Sequence, residues 1–411
     1  MARPRTNALF INRFGSEYLT ANYSASPKRF SLRGRAVIVR AVIKPVYSVL
    51  SLFVLALLSF FQAAAGEKSP AHEALGHFRR GANFGNYLEA PRGQDWGMRY
   101  NLQDLQNVKK EGFDHVRLPI AWHHYTSPGP AYTIEPQFFA KVDFLVTNTL
   151  QRGLSMIINI QHFDDFTSDP EAFTPKFRAL WEEIAVHYAS QPNQLAFELL
   201  NEPKDKATTE VMNPIYAQAI AVIRKTNPNR PIFLGPSRWN SLDEVEKLKL
   251  PEERNLIVTV HSYEPFTFTH QGTTWTGDSV ATVGIKYPGP PNQPLQPDPA
   301  AVRSSSWISN WFKNYNTMEA SRNPSGPVAF AARMEKVAAW GKANNRPIHL
   351  GEFGAFEKAD RASRVHYYAD MRRTAERLDF GWAVWDWKAG FRYWDGDKPV
   401  EGMREALFGA N

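Results

Sequence analysis

A chain of 411 residues with 43% hydrophobic and 22% charged residues has the make-up of a soluble globular protein, long enough for two domains or one large α/β barrel. It contains no cysteine, which excludes a disulfide framework, a thiol nucleophile and a cysteine metal site. The formal charge of +7 belongs to the first 65 residues, where nine Lys and Arg stand against one acid, Glu17, so the body shows no basic bias towards nucleic acid.

That leader ends in the apolar run Val46 to Phe61, followed by Gln62-Ala-Ala-Ala65-Gly66. Basic residues, a short apolar run and an Ala-x-Ala site predict a secretory signal with cleavage near Ala65. The run is slightly short for a membrane span, which needs about 20 residues. The stretch before it is longer than signals usually carry. A downstream translation start, an unusual extension and an uncleaved amino-terminal membrane anchor are the readings left open. A cleaved signal and an anchor both put the body outside the cytoplasm, secreted or periplasmic. The expected division is a leader over 1–65 and a body over 66–411.

Strand-like and helix-like stretches alternate along the body. Gly81 to Phe84 reads as a first strand, Asn101 to Glu111 as a helix and Asp114 to Pro119 as a second strand. Helical spacing over Glu135–Arg152 leads to a third strand, Ser155 to His162, and to a helix over Glu171–Ser190. The fourth strand is the apolar run Gln194-Leu-Ala-Phe-Glu-Leu-Leu, which stops in Asn201-Glu202-Pro203. A helix over Glu210–Thr226, a strand over Pro231–Gly235 and a short helix over Leu242–Leu248 follow. Asn255 to His261 is the sixth strand. Residues 264–325, rich in Pro, Gly, Ser and Thr, read as a long irregular loop whose Trp275, Tyr287, Trp307, Trp311 and Tyr315 are expected in a cleft wall. A helix over Pro327–Asn344, a seventh strand carrying Glu352, a helix over Arg361–Leu378 and an eighth strand, Gly381 to Trp387, complete the chain. Eight such units without a clear linker predict a single (β/α)8 TIM barrel.

A barrel carries its chemistry at the carboxyl ends of its strands and turns remote positions into neighbours. Arg117, His162, Asn201, Glu202, His261, Tyr263, Glu352 and Trp385 all fall at or just past such ends. Two glutamates on two strands are the minimum equipment for glycoside hydrolysis. The 12 Trp and 15 Tyr fit a sugar cleft, which needs flat apolar faces with a polar edge. Structural alternatives exist for the supporting residues: an interior ion pair for Arg117, core histidines for His162 and His261, packing for Trp385. Trp239 and Asn240 fall after the fifth strand, where contact with substrate and a structural role are both open. Asp164 and Asp165 beside His162 hint at metal, but no second cluster completes a ligand set, so no metal and no cofactor are expected.

The segments Gly81-Ala-Asn-Phe-Gly85, Val116-Arg-Leu-Pro119, His162, Asn201-Glu-Pro203, His261-Ser-Tyr263, Gly351-Glu-Phe-Gly354 and Trp382-Ala-Val-Trp385 resemble glycoside hydrolase family 5 over about residues 78–400. The resemblance implies Glu202 as acid/base and Glu352 as nucleophile, with Arg117, His162, Asn201, His261, Tyr263 and Trp385 lining the subsite of the attacked sugar. Gln161-His162 departs from the two histidines that many members carry, and the loop 264–325 is a second departure. Physical chemistry supports the roles: Arg117 and the Tyr263 hydroxyl should lower the pKa of Glu352, while burial and the charge of Glu352 should raise that of Glu202. Carboxyl groups about 5–5.5 Å apart and retention of configuration are expected; an inverting enzyme would separate them by roughly 6.5–9.5 Å. The expected activity is endo-β-1,4-glucanase. β-Mannanase, β-1,3-glucanase, periplasmic transglycosylation and a non-catalytic glycan-binding barrel are the alternatives. The expected partner is a polysaccharide or oligosaccharide, with the protein a monomer.

Overall fold

In the computed structural model, residues 68–409 are described. The expected signal or anchor over 1–65 lies outside them. No helix among the described residues is long and apolar enough to cross a membrane.

Eight parallel strands close into a barrel in sequence order. They are β1 (Arg80–Asn83), β2 (His115–Leu118), β3 (Ser155–Asn159), β4 (Leu195–Glu198), β5 (Ile232–Leu234), β6 (Leu256–His261), β7 (Ile348–Phe353) and β8 (Gly381–Val384). The last strand returns to the first through Gly81↔Ala383 and Ala82↔Val384. Helices follow at Leu102–Glu111, Pro136–Gln151, Pro170–His187, Thr209–Arg224, Ala331–Ala343 and Arg361–Arg377. Their starts follow local chemistry. Asn101 accepts from the backbone N–H groups of Gln103 and Asp104 while the Asp104 side chain returns to the Asn101 N–H, a reciprocal cap.

The barrel interior is layered. Ile157, Ala196, Phe233 and Ile257 form an apolar lower layer, closed from below by Ala71, Leu75 and Phe78 of the segment before β1. His115 and His349, ring nitrogens 3.2 Å apart, pack against Phe78 and Phe233 of that layer. Buried Asn83, Arg117, Asn159 and Glu198 then replace apolar side chains. The sequence thus switches from packing to chemistry along β1 to β4.

Three expectations change. Strand β3 ends at Asn159 and β8 at Val384, so His162 and Trp385 sit on the loops beyond their strands. The segment 264–325 is not structureless. It holds helices at Phe266–Thr269, Pro299–Ser304 and Ile308–Thr317. Asp298 caps the second of these, with Pro299 at its first position. Tyr287 and Tyr315 are buried in packing rather than set in a cleft wall, whereas Trp275 and Trp307 are exposed.

Candidate active site

Arg117 organises the site. It is completely buried on β2, and its five donors meet four partners. Nε and Nη2 bind the two oxygens of Glu198 at 2.6 and 2.8 Å. Nη1 donates to Asn83 Oδ1 and to Glu352 Oε1, each at 2.8 Å, and Nη2 donates to Asn201 Oδ1 at 2.7 Å. Guanidinium is donor-only, so both amides turn their oxygens towards it. Asn83 Nδ2 then bridges the carbonyls of Gly351 and Val384, tying β1 to β7 and β8. Asn201 keeps its NH2 for another acceptor, such as a sugar hydroxyl.

Glu352, on β7, is almost fully buried. Arg117 holds Oε1, and the Tyr263 hydroxyl donates to Oε2 at 2.7 Å. Glu202 follows β4 with φ +48°, a left-handed conformation uncommon outside glycine. His261 Nδ1 lies 2.8 Å from Glu202 Oε1 and 3.8 Å from Glu352 Oε1. Carboxylate oxygens of Glu202 and Glu352 approach within 4.8 Å. This close approach falls on the narrow side, that of a double displacement, rather than at the wider gap of an inverting pair.

The electrostatics differ from expectation. Burial pushes the Glu352 carboxyl above its usual value of 4.5, against the pull of His261, Arg117 and the Tyr263 hydrogen bond. Burial would raise Glu202 as well, but the hydrogen bond from His261 and the positive charge around the carboxyl outweigh it, and the carboxyl lies below 4.5. The order is reversed because the sequence does not reveal that His261 faces Glu202 more closely than Glu352. Glu202 is also the more open of the two, its side chain 21% exposed against 5%. A substrate that fills the cleft therefore desolvates Glu202 more, which moves its pKa upwards.

His162 stands open to solvent past β3 with φ +51°. Its surroundings nevertheless desolvate the ring and lower its pKa, so it is neutral near pH 7. Trp96, 39% exposed, meets His162 edge-on at 6.0 Å between ring centroids. Trp385 is half-buried against Gly85, where a Cβ would come within 2.8 Å of the indole. All eight residues singled out from sequence thus belong to the strand ends and the loops that follow them. Asp164 is paired with Lys204 at 3.0 Å. Glu202, His261 and Glu352 offer one ligand atom each within 4.8 Å, but Arg117 and Tyr263 already hold both Glu352 oxygens, and a cation there would lie beside the guanidinium.

Four residues escaped the sequence reading: Asn83, Glu198, Trp96 and Glu89. An acid in the middle of the apolar run Leu195-Ala-Phe-Glu198 and an amide closing β1 were the available signals. Glu89 is buried, its carboxylate accepting from the backbone N–H groups of Asn86 and Tyr87. Burial pushes its pKa up to about 7.

The family profile described as Cellulase (glycosyl hydrolase family 5) matches residues 79–390. The chain is 30% identical to Endoglucanase H of Acetivibrio thermocellus over 74% of this chain and 29% of that protein. It is 28% identical to Endoglucanase 3 of Fibrobacter succinogenes over 86% of this chain and 56% of that one. The chain thus spans roughly a third to a half of the length of these curated relatives. Among solved structures it is similar to endoglucanase Cel5A of Thermotoga maritima, with a TM-score of 0.72 and 34% identity over 83% of this chain and 100% of that chain. That enzyme has been crystallised with cellobiose and with mannotriose.

Proposed function

The chain belongs to glycosyl hydrolase family 5, and from that membership we propose that it is an exported, retaining endo-β-1,4-glucanase, with Glu352 as nucleophile and Glu202 as acid/base. The observation that carries the reading is the pair of carboxylates within 4.8 Å, one of them gripped by Arg117 and Tyr263.

In the proposed first step Glu352 attacks the anomeric carbon as a carboxylate, and Glu202 gives its proton to the leaving oxygen. Arg117 and Tyr263 hold Glu352 in one orientation, so little reorganisation accompanies attack. Two carboxyls this close titrate as a coupled pair, and the reactive state of the pair carries one proton. The productive form keeps it on Glu202, which desolvation by the bound chain favours. Once the glycosyl–enzyme ester forms, the Glu352 charge is gone. Glu202, now a carboxylate, takes a proton from water as that water attacks the anomeric carbon from the vacated side, and Glu352 leaves as carboxylate. The free NH2 of Asn201 donates to the sugar 2-hydroxyl, and Trp385 provides an apolar face for the ring.

The test is reducing-sugar release from carboxymethyl-cellulose, mannan and a β-1,3-glucan, beside Glu202→Ala and Glu352→Ala. Release from the cellulose derivative that both substitutions abolish supports the reading. Release from mannan alone retains the mechanism and changes the substrate, an outcome made specific by the mannotriose complex of the T. maritima neighbour. Release that survives the Glu352 substitution overturns the assignment.

A further inference from the structure

We propose that Asn240 is a positioning residue that fixes the tautomer of His261 and so keeps the acid proton of Glu202 on that carboxyl's unpartnered oxygen. The inference rests on Glu202 being the acid/base.

Asn240 closes an unusual turn. Arg238, Trp239 and Asn240 all have left-handed φ, at 54°, 59° and 54°. Such a run of non-glycine residues persists only where its surroundings dictate it, and such runs cluster at functional sites. Here the Trp239 N–H donates to the carbonyl of Pro203, the residue after Glu202, at 3.2 Å. Ser241, the next residue, bridges to His261 in parallel fashion. The turn is thus anchored at both ends of the Glu202–His261 contact. Gly235 clears space for it, since a Cβ there would meet the Asn240 side chain at 2.7 Å.

The Asn240 side chain is completely buried. Its Nδ2 lies 3.3 Å from His261 Nε2, and its Oδ1 is buried without a partner. With Nδ2 turned to the ring, the amide nitrogen only donates, so Nε2 presents its lone pair. The ring hydrogen then sits on Nδ1, 2.8 Å from Glu202 Oε1. Because Nδ1–H donates, Oε1 must accept, and the proton that Glu202 delivers belongs on Oε2. In the other tautomer Nδ1 would accept, and it would draw the Glu202 proton onto Oε1, towards the imidazole and away from the leaving oxygen.

The other charged or titratable groups around the ring do not make this choice. Glu352, from β7, lies 3.8 Å from the same Nδ1. Arg117, from β2, acts on that carboxylate. His349, lower on β7, is held neutral by burial and pairs with His115. Among the described hydrogen-bond contacts, Asn240 is the group that meets Nε2.

The experiment compares the wild-type full chain with Asn240→Leu and Asn240→Asp on two substrates. From a dinitrophenyl β-cellobioside the dinitrophenolate leaves without a proton, whereas the sugar leaving group of an unactivated cello-oligosaccharide needs one. The expected result is a loss of kcat/KM of ~10- to 100-fold on the oligosaccharide and of no more than about threefold on the dinitrophenyl glycoside. Equal losses on both substrates would overturn the proposal in favour of a structural role. Neutron diffraction on the wild type gives a reading independent of turnover and of how the variants fold. Deuterium on His261 Nδ1 with Nε2 bare supports the proposal, and deuterium on Nε2, with or without Nδ1, overturns it. A wild-type protein that cleaves neither substrate would overturn the glycosidase reading itself, while the neutron result would still decide the tautomer.

Discussion

Arg117 grips Glu198 through two parallel hydrogen bonds, Nε to Oε2 at 2.6 Å and Nη2 to Oε1 at 2.8 Å. Neither residue faces the leaving group, yet the pair fixes the fork from which Arg117 reaches Glu352, Asn83 and Asn201. Removing Glu198 leaves a guanidinium that cannot deprotonate with one carboxylate instead of two. Breaking a buried ion pair on one side costs about 3–5 kcal/mol. Glu198→Ala should therefore unfold at lower denaturant by that order. It should also lose activity on cellulose derivatives, because Glu352 is no longer held in register. A variant within about 0.5 kcal/mol of wild type by urea unfolding, a change ordinary for surface substitutions, would show that the pair does not matter.

The pH profile tests the electrostatics. Glu352 must be ionised to attack, and burial raises its pKa above 4.5. In the free protein Glu202 lies below 4.5, so the form with Glu352 ionised and Glu202 protonated is the minor arrangement of the single proton. The acid limb of kcat/KM then follows the lower pKa of the pair, below 4.5, and the alkaline limb the higher one, above 4.5. The Tyr263 hydrogen bond favours the charged form of Glu352, so Tyr263→Phe should shift the alkaline limb further up. A Phe variant whose alkaline limb moves down would contradict the arrangement.

How much of this was legible in the sequence depends on what each residue does. Strands and surrounding helices follow from periodicity, and the close pair of carboxylates from acids that end apolar runs at Asn201-Glu202-Pro203 and Gly351-Glu352. Glu198 was not legible, because an acid inside an apolar run has meaning only once Arg117 is known to lie across the barrel. The pKa order failed for the same reason: His261 touches Glu202 only through the fold. His162 and Trp385 were placed on strands because apolar runs continue past the last ladder hydrogen bond. The buried Tyr287 and Tyr315 show that aromatics in a Pro- and Gly-rich stretch can pack as a core of their own.

Gly85 has a steric duty. A Cβ at this position would come within 2.8 Å of the Trp385 ring, closer than packed carbons approach. Gly85→Ala should displace the indole and cost about 1–3 kcal/mol as overpacking. If the ring carries the sugar as proposed, a displacement of even 1 Å should reduce catalysis by up to ~100-fold. The check is kcat/KM on cello-oligosaccharides beside the tryptophan fluorescence of the free protein. An unchanged kcat/KM would mean that the ring does not position substrate.

Glu89 makes stability depend on pH. Its carboxylate accepts from two backbone N–H groups, yet burial dominates and raises its pKa from 4.5 to about 7. A group whose pKa is raised on folding contributes stability that is fully present below the unfolded value. That contribution is lost as pH rises through the folded value. The window is therefore pH 4.5 to about 7, and the shift corresponds to about 3 kcal/mol at its upper end. Glu89→Gln does not titrate. Measured by chemical denaturation, the stability of wild type relative to this variant should fall steadily across that window and level off above it. Asp386, also buried and raised to about 7, titrates in both proteins and cancels in the difference. A difference that stays constant from pH 4.5 to 8 would mean that Glu89 remains ionised in the fold, held by the Asn86 and Tyr87 amides against its burial.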